Sequence, residues 1–377
     1  MHICFLTNEY PRDGFPHGGV GTFIRTISRK LAGSGFEVSV VGINYTADNE
    51  TETDNGVRIY RLSSEKIRGL AWLQYSIRIS RALKKIHSSQ PIDIVESTEL
   101  GLAFIGKLKG VKYIIRLHGG HHFFAQSENR KIDWWKGFQE KRSFSRADKI
   151  IGVSNYVLDH TSEYLDFNSK RGPAIYNTVD VERFHRADPL KTVRGRIFFA
   201  GTICEKKGIR QLIQAFPIIK KAVPYAQLVI AGRDWTFPDG SSYTEWVKQF
   251  IRDEDKKDVI FLGPVKNDEI PALIEKAEVC VYPSHMEAMP LAWLEVLAMG
   301  KAFVGSRLGP GPEVVIEGIT GLLCDPLKPE DIAHKTIRIL TQKDLGITLG
   351  SAAREDILQR FSAEKLVRQN IEFYKSI

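Results

Sequence analysis

Short apolar segments rich in β-branched residues alternate with longer amphipathic segments along nearly the whole chain, and this alternation limits the fold more than any other feature. Strands separated by helices predict parallel sheets joined by right-handed crossovers. The predicted strands are residues 3–6, 38–41, 92–95, 113–117, 150–153, 197–200, 227–231, 259–262, 279–282 and 302–304. The sequence therefore predicts the α/β class, with doubly wound, Rossmann-like parallel sheets.

The alternation lapses in a polar segment, residues 180–191, and then restarts with a new strand. Because 377 residues are enough for two domains, we place a domain boundary there. The prediction is an N-terminal domain at 1–187, a C-terminal domain at 188–360, and a last helix within 361–377 that crosses back to the first domain. Open parallel sheets bind ligands at the carboxyl ends of their strands, so we expect a cleft between the two domains.

The composition excludes several classes of protein. Hydrophobic residues make up 43% of the chain and charged residues 26%, which argues against disordered and collagen-like proteins. No apolar run reaches the roughly 20 residues of a membrane-spanning helix, and the first residues do not resemble a secretory signal. We therefore expect a cytoplasmic protein. Its four cysteines, Cys4, Cys204, Cys280 and Cys324, are widely spaced and are interpreted as core residues.

The net charge of +8 is concentrated in the first half of the chain. Residues 1–187 hold 27 Lys and Arg against 20 Asp and Glu, whereas residues 188–377 hold 26 against 25. A basic first half indicates contact with an anionic surface or substrate. Nucleic acid is an improbable partner, because the basic residues form neither a helix-turn-helix nor an aromatic stacking platform.

A membrane surface is one anionic partner that this charge could serve. Residues 67–86 combine Leu, Ile and Trp with basic residues at helical spacing, as interfacial helices do. Trp134 and Trp135 follow Lys131 and precede Lys136. An ordinary helix with a solvated basic face is the alternative, and we favour it because most amphipathic helices simply cover a core. The sequence leaves peripheral association with the cytosolic membrane face open.

The richest motif is residues 283–300, which follow a predicted strand and open a helix near Pro290. Proline suits a first helical position, and a helix N-terminus that points into a cleft binds phosphate. Glu287 and Glu295 are two helical turns apart if the helix is continuous, too far to flank one glycosidic bond. We interpret them as contacts to different parts of one long ligand, although such a pair is often merely solvated.

This motif resembles the signature of the retaining glycosyltransferases of family 4, which have the two-domain GT-B fold. The resemblance covers nearly the whole chain. Further matching segments are Gly18-Gly19-Val20-Gly21, His118-Gly119-Gly120, Glu140, Ala147-Asp148, Val153-Ser154, Asn177-Thr178-Val179-Asp180, Gly201, Lys207-Gly208 and residues 309–313.

The resemblance implies a role for individual residues. His118 and Glu287 would contact the donor sugar, and Lys207 would neutralise the diphosphate; these three form the implied catalytic set. Glu295 would contact the ribose. The implied donor-binding set is Gly19, Gly21, Thr202, Lys207, Arg233, Val265, Ala288, Met289, Pro290, Leu291 and Glu295. A fixed cation and helix amides can stabilise charge on a departing phosphate oxygen, so no metal and no separate cofactor are expected.

The chain departs from the family pattern at two places. Most members have Arg where this chain has Thr202, so a second phosphate cation is missing there. Lys206 or Arg233 would substitute for it, or Lys207 and the helix dipole would suffice. Met289-Pro290 replaces Phe-Gly and removes one amide donor.

Three other signals have a less specific explanation. Asp253-Glu254-Asp255 has the Asp-x-Asp form of manganese sites, but it lies in a charged run and is interpreted as solvated. His118, His121 and His122 lack the carboxylate spacing of a metal site. Glu96 and Glu99 follow a predicted strand, where they either line an acceptor pocket or belong to a polar loop.

The sequence thus predicts a retaining, metal-independent hexosyltransferase. Its donor would be a nucleotide-diphosphate sugar, a UDP-sugar first and a GDP-sugar second, and its acceptor a glycan or a lipid-linked sugar in polysaccharide or glycoconjugate biosynthesis. A nucleotide-sugar epimerase of the same fold and a non-catalytic nucleotide-sugar-binding homologue are the alternatives.

Overall fold

The computed structural model describes residues 1–15, 18–127 and 130–377. The chain divides into two compact units: unit 1 comprises Met1–Thr178 with Ala363–Ile377, and unit 2 comprises Val179–Ser362. The boundary therefore lies before the polar segment that marks it in the sequence. That segment belongs to unit 2 because its backbone is bound there: the amide of Asp188 donates to the carboxylate of Glu275 at 3.0 Å.

Unit 1 contains one eight-stranded sheet. Its strands are β1 (His2–Leu6), β2 (Glu37–Ile43), β3 (Glu50–Asp54), β4 (Val57–Leu62), β5 (Ile94–Ser97), β6 (Lys112–Leu117), β7 (Lys149–Gly152) and β8 (Arg171–Ala174). They lie in the order β3-β4-β2-β1-β5-β6-β7-β8, and neighbours are parallel except β3 and β4. Every residue of the central strand β1 is buried, as expected when helices cover both faces of a parallel sheet.

The antiparallel pair of β3 and β4 is a hairpin that the sequence analysis did not predict. Its two-residue turn is Asn55-Gly56, with φ of 48° and 83°. Both values are positive, as a type I′ turn requires, and Asn-Gly is a preferred sequence for that turn. The polar strand β3 therefore extends an otherwise parallel sheet at its edge.

Five helices of unit 1 precede unit 2 in the described part of the chain. They are α1 (Gly19–Gly33), α2 (Ala71–Ser89), α3 (His121–Ser127), α4 (Trp134–Arg146) and α5 (Asn155–Ser162). The α1 helix buries Phe23, Ile24, Ile27 and Leu31, which recur at the spacing of one helix face.

Unit 2 contains a six-stranded, wholly parallel sheet. Its strands are β9 (Arg196–Ala200), β10 (Gln227–Ala231), β11 (Val259–Gly263), β12 (Val279–Tyr282), β13 (Ala302–Ser306) and β14 (Leu322–Cys324). Its helices are α6 (Ile209–Ala222), α7 (Tyr243–Lys248), α8 (Ile270–Lys276), α9 (Leu291–Ala298), α10 (Gly311–Val314), α11 (Pro329–Thr341) and α12 (Lys343–Arg360). In the strand order β11-β10-β9-β12-β13-β14 the direction of winding reverses at β9. Open α/β sheets bind ligands at the carboxyl ends of the strands at such a reversal.

The last helix, α13 (Ala363–Lys375), belongs to unit 1, where it packs against α1. Its side chains Asn370 and Tyr374 reach Arg116 on β6, which is 1% exposed. Nη2 of Arg116 donates to Oδ1 of Asn370 at 2.5 Å, and Nε donates to Oε1 of Glu96 at 2.7 Å. The hydroxyl of Tyr374 donates to Oε2 of Glu96 at 2.7 Å. These four side chains, the Arg116 network, pair a buried cation with a buried carboxylate.

The four cysteines are buried and unpaired, which confirms their interpretation as core residues. Among the described helices, we find none that combines the length and the apolar character needed to cross a membrane.

Candidate functional site

The carboxyl ends of β9, β10 and β11 in unit 2 meet at three glycines. The amide of Gly201 donates to Ala231 at 2.9 Å, and the amide of Gly232 donates to Gly263 at 2.8 Å. Gly232 has φ of 154°, and a Cβ atom there would overlap the carbonyl oxygen of Gly201. The backbones therefore approach more closely than side chains would allow, and this strand edge presents backbone rather than side-chain bulk.

Thr202 and Arg233 lie side by side just beyond these glycines. Nε of Arg233 donates to Oγ1 of Thr202 at 3.4 Å. Arg233 is exposed, and the residue at 202 is partly buried. A guanidinium from the next strand thus lies beside the position where the family pattern has its arginine. Val265, another member of the implied donor-binding set, is partly buried two residues beyond the end of β11.

Lys207 lies on a single 3₁₀ turn, Glu205–Lys207, that is fixed by the side chain of Glu205. The carboxylate of Glu205 accepts hydrogen bonds from Nη2 of Arg210 at 2.6 Å, from Nε2 of Gln211 at 3.0 Å, and from the hydroxyl of Tyr243 at 2.7 Å. Burial alone would raise the pKa of Glu205, but these hydrogen bonds outweigh it and lower the pKa to about 2. The turn is therefore anchored by a permanently charged carboxylate.

Gly208 closes this turn against the segment that follows β12. Its φ is 72°, in the left-handed region, and a Cβ atom there would overlap the carbonyl oxygen of Pro283. The amide of His285 donates to the carbonyl of Lys206 at 2.8 Å. The two segments that carry Lys207 and Glu287 are consequently packed backbone to backbone.

The structure brings Lys207 and Glu287 together. Nζ of Lys207 forms an ion pair with Oε1 of Glu287, and both side chains are largely buried. The pair lies beyond β9 and β12, which are neighbouring strands on the two sides of the winding reversal. A cation and a carboxylate are thus held together where this kind of sheet binds its ligands.

The helix of the 283–300 motif starts later than the sequence suggests. Pro290 is the N-cap residue, with φ of −78° and ψ of 117°, and helix α9 begins at Leu291. Glu287, Ala288 and Met289 precede the helix, so no continuous helix joins Glu287 to Glu295. Burial raises the pKa of Glu295 on α9 to about 7, against the opposing effect of Arg183. Glu295 is therefore poised between its neutral and charged forms near neutral pH.

In unit 1, His118 follows β6 and is held neutral by its surroundings. Burial lowers the pKa of His118 to about 3, and the nearby charge of Arg116 acts in the same direction. The ring of Phe23 lies 5.2 Å from the imidazole and 5.1 Å from the guanidinium carbon of Arg116. The ring of Phe23 thus contacts both His118 and the Arg116 network.

Two buried carboxylates, Glu99 and Glu140, hold the backbone on both sides of Gly119 and Gly120. Oε1 of Glu99 accepts from the amide of His118 at 2.5 Å, and Oε1 of Glu140 accepts from the amide of His121 at 2.9 Å. Burial raises the pKa of Glu99 to about 8, and the charge of Glu140 adds to the rise. A Cβ atom at Gly120 would collide with the carboxylate of Glu140 and with Cγ of Glu99.

The glycine-rich segment of unit 1 forms the start of a helix. Gly18 is the N-cap of α1, and Gly19 and Gly21 lie in its first turn. The amide of Gly18 donates to Oε2 of Glu9 at 3.2 Å, and a Cβ atom at Gly21 would overlap the carbonyl oxygen of Glu9. Close packing against Glu9 explains the glycine at 21.

The structure does not support the acceptor-pocket interpretation of Glu96 and Glu99. Glu96 lies within β5 and is bound by Arg116, and Glu99 is occupied by the amide of His118; both are buried. The alternative of a polar loop is wrong for Glu96 as well.

Asp253, from the Asp-x-Asp segment, is exposed on a 3₁₀ turn and pairs with Lys256 at 2.6 Å. The ring of His122 pairs with Glu140, and Nε2 of His121 accepts from the amide of Asp133 at 2.9 Å.

Sequence reasoning missed Arg116, Glu205 and Tyr243. Arg116 carried a usable signal, because an arginine inside the apolar strand 113–117 needs a buried partner. Glu205 and Tyr243 lie on separate elements and carried no such signal.

Comparison with known proteins agrees with this architecture. Residues 17–183 match the family model described as Glycosyltransferase Family 4, and residues 180–356 match the model described as Glycosyl transferases group 1. An uncharacterized glycosyltransferase of Methanocaldococcus jannaschii is 25% identical over 366 residues, which cover 96% of this chain and 95% of that protein.

Two solved structures show the same fold. Sucrose-phosphate synthase from Thermosynechococcus elongatus is 20% identical, with a TM-score of 0.85 over 100% of this chain and 98% of that chain. HepE of Anabaena, solved in complex with UDP-glucose, is 18% identical, with a TM-score of 0.78 over the full length of both chains.

Two parallel-sheet α/β units of this kind define the GT-B class of glycosyltransferases. Both family models fall on this chain in sequence order and together cover most of it. The chain is therefore a glycosyltransferase of the GT-B class, and it belongs with the proteins like those of family 4.

Proposed function

We propose that the protein transfers a hexose from a nucleotide-diphosphate sugar to a hydroxyl of a glycan or lipid-linked acceptor, with retention at the anomeric carbon. The observation that carries this proposal is the Lys207–Glu287 pair at the winding reversal of unit 2. The complex of Anabaena HepE with UDP-glucose supports a UDP-sugar as the first donor to test, with a GDP-sugar second.

Unit 2 would bind the donor through groups that are already in place. Lys207 would leave Glu287 for the diphosphate, which carries more negative charge, and Glu287 would then be available to the hydroxyls of the sugar. Arg233 would supply the second phosphate cation in place of the arginine that Thr202 replaces. Glu295 would accept a hydrogen bond from the ribose, with Gly201 and Gly232 allowing close approach of the ligand.

The transfer would break the bond between the anomeric carbon and a phosphate oxygen. Negative charge develops on that oxygen, and the fixed Lys207 cation and the amide end of α9 would stabilise it without a divalent metal. The acceptor hydroxyl would attack from the same face and give its proton to the departing phosphate. His118, kept neutral by its surroundings, would contact the sugar through a hydrogen bond rather than a charge.

The acceptor would meet unit 1, which carries most of the excess positive charge of the chain. We propose that the reaction takes place at the cytosolic face of a membrane, where lipid-linked acceptors of glycoconjugate and polysaccharide synthesis are anchored and the surface is anionic.

The test combines nucleotide binding with turnover. Calorimetric titration with UDP, GDP and ADP identifies the base, and release of nucleoside diphosphate from the matching sugar measures turnover. Lys207→Ala and Glu295→Ala should each weaken nucleotide binding about tenfold or more, since each removes a charge-assisted contact. Lys256→Ala is the control, because this lysine of unit 2 is exposed and forms its ion pair with the exposed Asp253.

Unchanged binding and turnover in both site variants would remove the basis of the proposal. Conversion of the donor sugar into its epimer without any acceptor would replace transfer by epimerisation.

A further inference from the structure

Five aromatic side chains form one continuous cluster on unit 1, which we name the aromatic face. It consists of Trp72 from α2, Phe104, and Trp134, Trp135 and Phe138 from α4. Trp72 lies 4.6 Å from Phe104 and 5.3 Å from Trp135, measured between ring centroids. Phe138 lies 5.8 Å from Trp135 and 6.1 Å from Trp134.

The aromatic face is open to solvent. Trp134 is 78% exposed and Phe138 is 42% exposed, although both are large apolar side chains that globular proteins normally cover. Ile132, which precedes α4, is 46% exposed, and Leu73 and Ile77, which lie one turn apart on α2, are also exposed. A contiguous apolar surface of this kind marks an interaction site rather than scattered surface residues.

The exposed charge around the aromatic face is mainly positive. Residues 66–92 include six Lys and Arg and lack Asp and Glu altogether. On the α4 side, Lys131, Lys136 and Lys141 are exposed. The two acidic residues there are engaged: Glu140 is fully buried, and Asp133 caps α4 by accepting from the amide of Lys136 at 2.8 Å.

A second aromatic cluster provides an internal contrast. In unit 2, Trp235, Phe237, Trp246 and Phe250 are in ring contact with one another or with Tyr243. Trp235 is 42% exposed, but the acidic residues Asp234, Asp239 and Glu245 share this segment. Exposed aromatic rings therefore occur in both units. Those of the aromatic face have mainly basic neighbours, whereas those of unit 2 share their segment with acidic residues.

We infer that the aromatic face is a docking surface for an anionic lipid bilayer. Tryptophan favours the boundary between headgroups and acyl chains, because its ring is apolar and its N–H is polar. Lysines around inserted rings bind anionic headgroups. Charge complementarity selects this occupant over a second copy of the chain, since two copies would bring the same basic surround together.

Membrane docking would extend the proposed function and rests on it, because a lipid-linked acceptor gives the protein a reason to bind a membrane. Docking itself is a property of unit 1 and is measured without nucleotide, sugar or acceptor. A failure of the transfer assay and a failure of docking are therefore separate results.

The experiment is sedimentation of the full-length protein with vesicles. One set is made of equal parts of phosphatidylcholine and phosphatidylglycerol, and the other of phosphatidylcholine alone. We expect binding to the anionic vesicles that weakens as salt is added. Trp134→Ala with Phe138→Ala should reduce the partition constant about tenfold or more, because both rings leave the interface. Lys131→Ala with Lys136→Ala should reduce it about twenty-five-fold, at about fivefold for each cation near the surface.

Matched controls come from unit 2. Trp235→Ala removes an exposed tryptophan from the acidic aromatic cluster, and Lys256→Ala with Lys257→Ala removes two cations from another surface; neither should change vesicle binding. Blue emission shifts of tryptophan fluorescence on vesicle addition should disappear with Trp134→Ala and persist with Trp235→Ala.

Three outcomes would overturn the inference. The first is no binding of the wild-type protein to anionic vesicles at low salt. The second is equal binding by the aromatic-face variants and their controls. The third is concentration-dependent self-association in ultracentrifugation that Trp134→Ala abolishes, without vesicle binding, which would make a second copy the occupant.

Discussion

Glu99 shows how a single buried carboxyl can contribute to the pH dependence of stability. Its pKa is raised to about 8 by burial and by Glu140, so the folded state retains a proton that the unfolded state releases near pH 4.5. Between these two values Glu99 holds more protons in the folded state, and its contribution to the free energy of unfolding therefore decreases as pH rises from about 4.5 to about 8.

We predict that Glu99→Gln flattens this dependence. Glutamine keeps an oxygen that accepts from the amide of His118 but cannot ionise. Denaturant unfolding measured at about pH 5 and about pH 8 should show the wild-type protein losing on the order of a few kcal/mol more than the variant. Glu355→Gln, at an exposed position on α12, should keep the wild-type slope. Parallel slopes for Glu99→Gln and wild type would contradict the prediction.

At the residue scale, prediction from the sequence depends on whether the signal is local. Lys207 and Glu287 were selected from their motifs, and the structure pairs them. It failed for Arg116, whose partners Asn370 and Tyr374 lie 254 and 258 residues further along the chain. No local pattern connects such distant positions, so only the fold reveals the network.

At the scale of elements, the Arg116 network ties α13 to two strands of the first sheet. A buried ion pair contributes little net stability when intact, but removing one partner leaves an uncompensated buried charge. We therefore predict that Arg116→Met, which strands the carboxylate of Glu96, costs about 3–5 kcal/mol in the free energy of unfolding.

The matched variant removes both charges. Arg116→Met combined with Glu96→Met should be markedly more stable than Arg116→Met alone, because neither charge is left buried without a partner. Urea unfolding of the two variants and wild type measures the two changes in the free energy of unfolding. A cost below about 1 kcal/mol for Arg116→Met would show that Glu96 finds water or another donor instead.

The elements that the sequence predicted are those with a strong apolar pattern. Each of the ten predicted strands overlaps a strand of the structure, because a buried parallel strand is apolar on both faces. The four that were missed have weak patterns for separate reasons. β3 reads Glu-Thr-Glu-Thr-Asp and is largely exposed, β8 contains Gly172 and Pro173, β14 has three residues, and β4 alternates with polar residues.

At the scale of the whole molecule, each unit has its own sheet and its own core. We expect calorimetric unfolding in more than one transition, since a chain of two units does not behave as a single cooperative domain. A nucleoside diphosphate that binds unit 2 should raise the transition temperature of that unit alone. At a hundred times its Kd it should add about 2.7 kcal/mol to the free energy of unfolding of unit 2.

The control for this prediction is Lys207→Ala, which should reduce the shift to roughly half at the same nucleotide concentration if binding weakens about tenfold, while leaving the other transition unchanged. An equal shift of all transitions by UDP would mean that unit 1 also binds the nucleotide, or that the two units unfold together.

The location of α13 also bears on synthesis at the ribosome. Unit 2 is encoded between two parts of unit 1, and Arg116 stays without its helical partners until residues 370 and 374 have been translated. Every residue of unit 2 is therefore translated before the C-terminal segment that completes unit 1. Unit 2 starts later in the sequence, but it is the first unit whose residues are all available for folding.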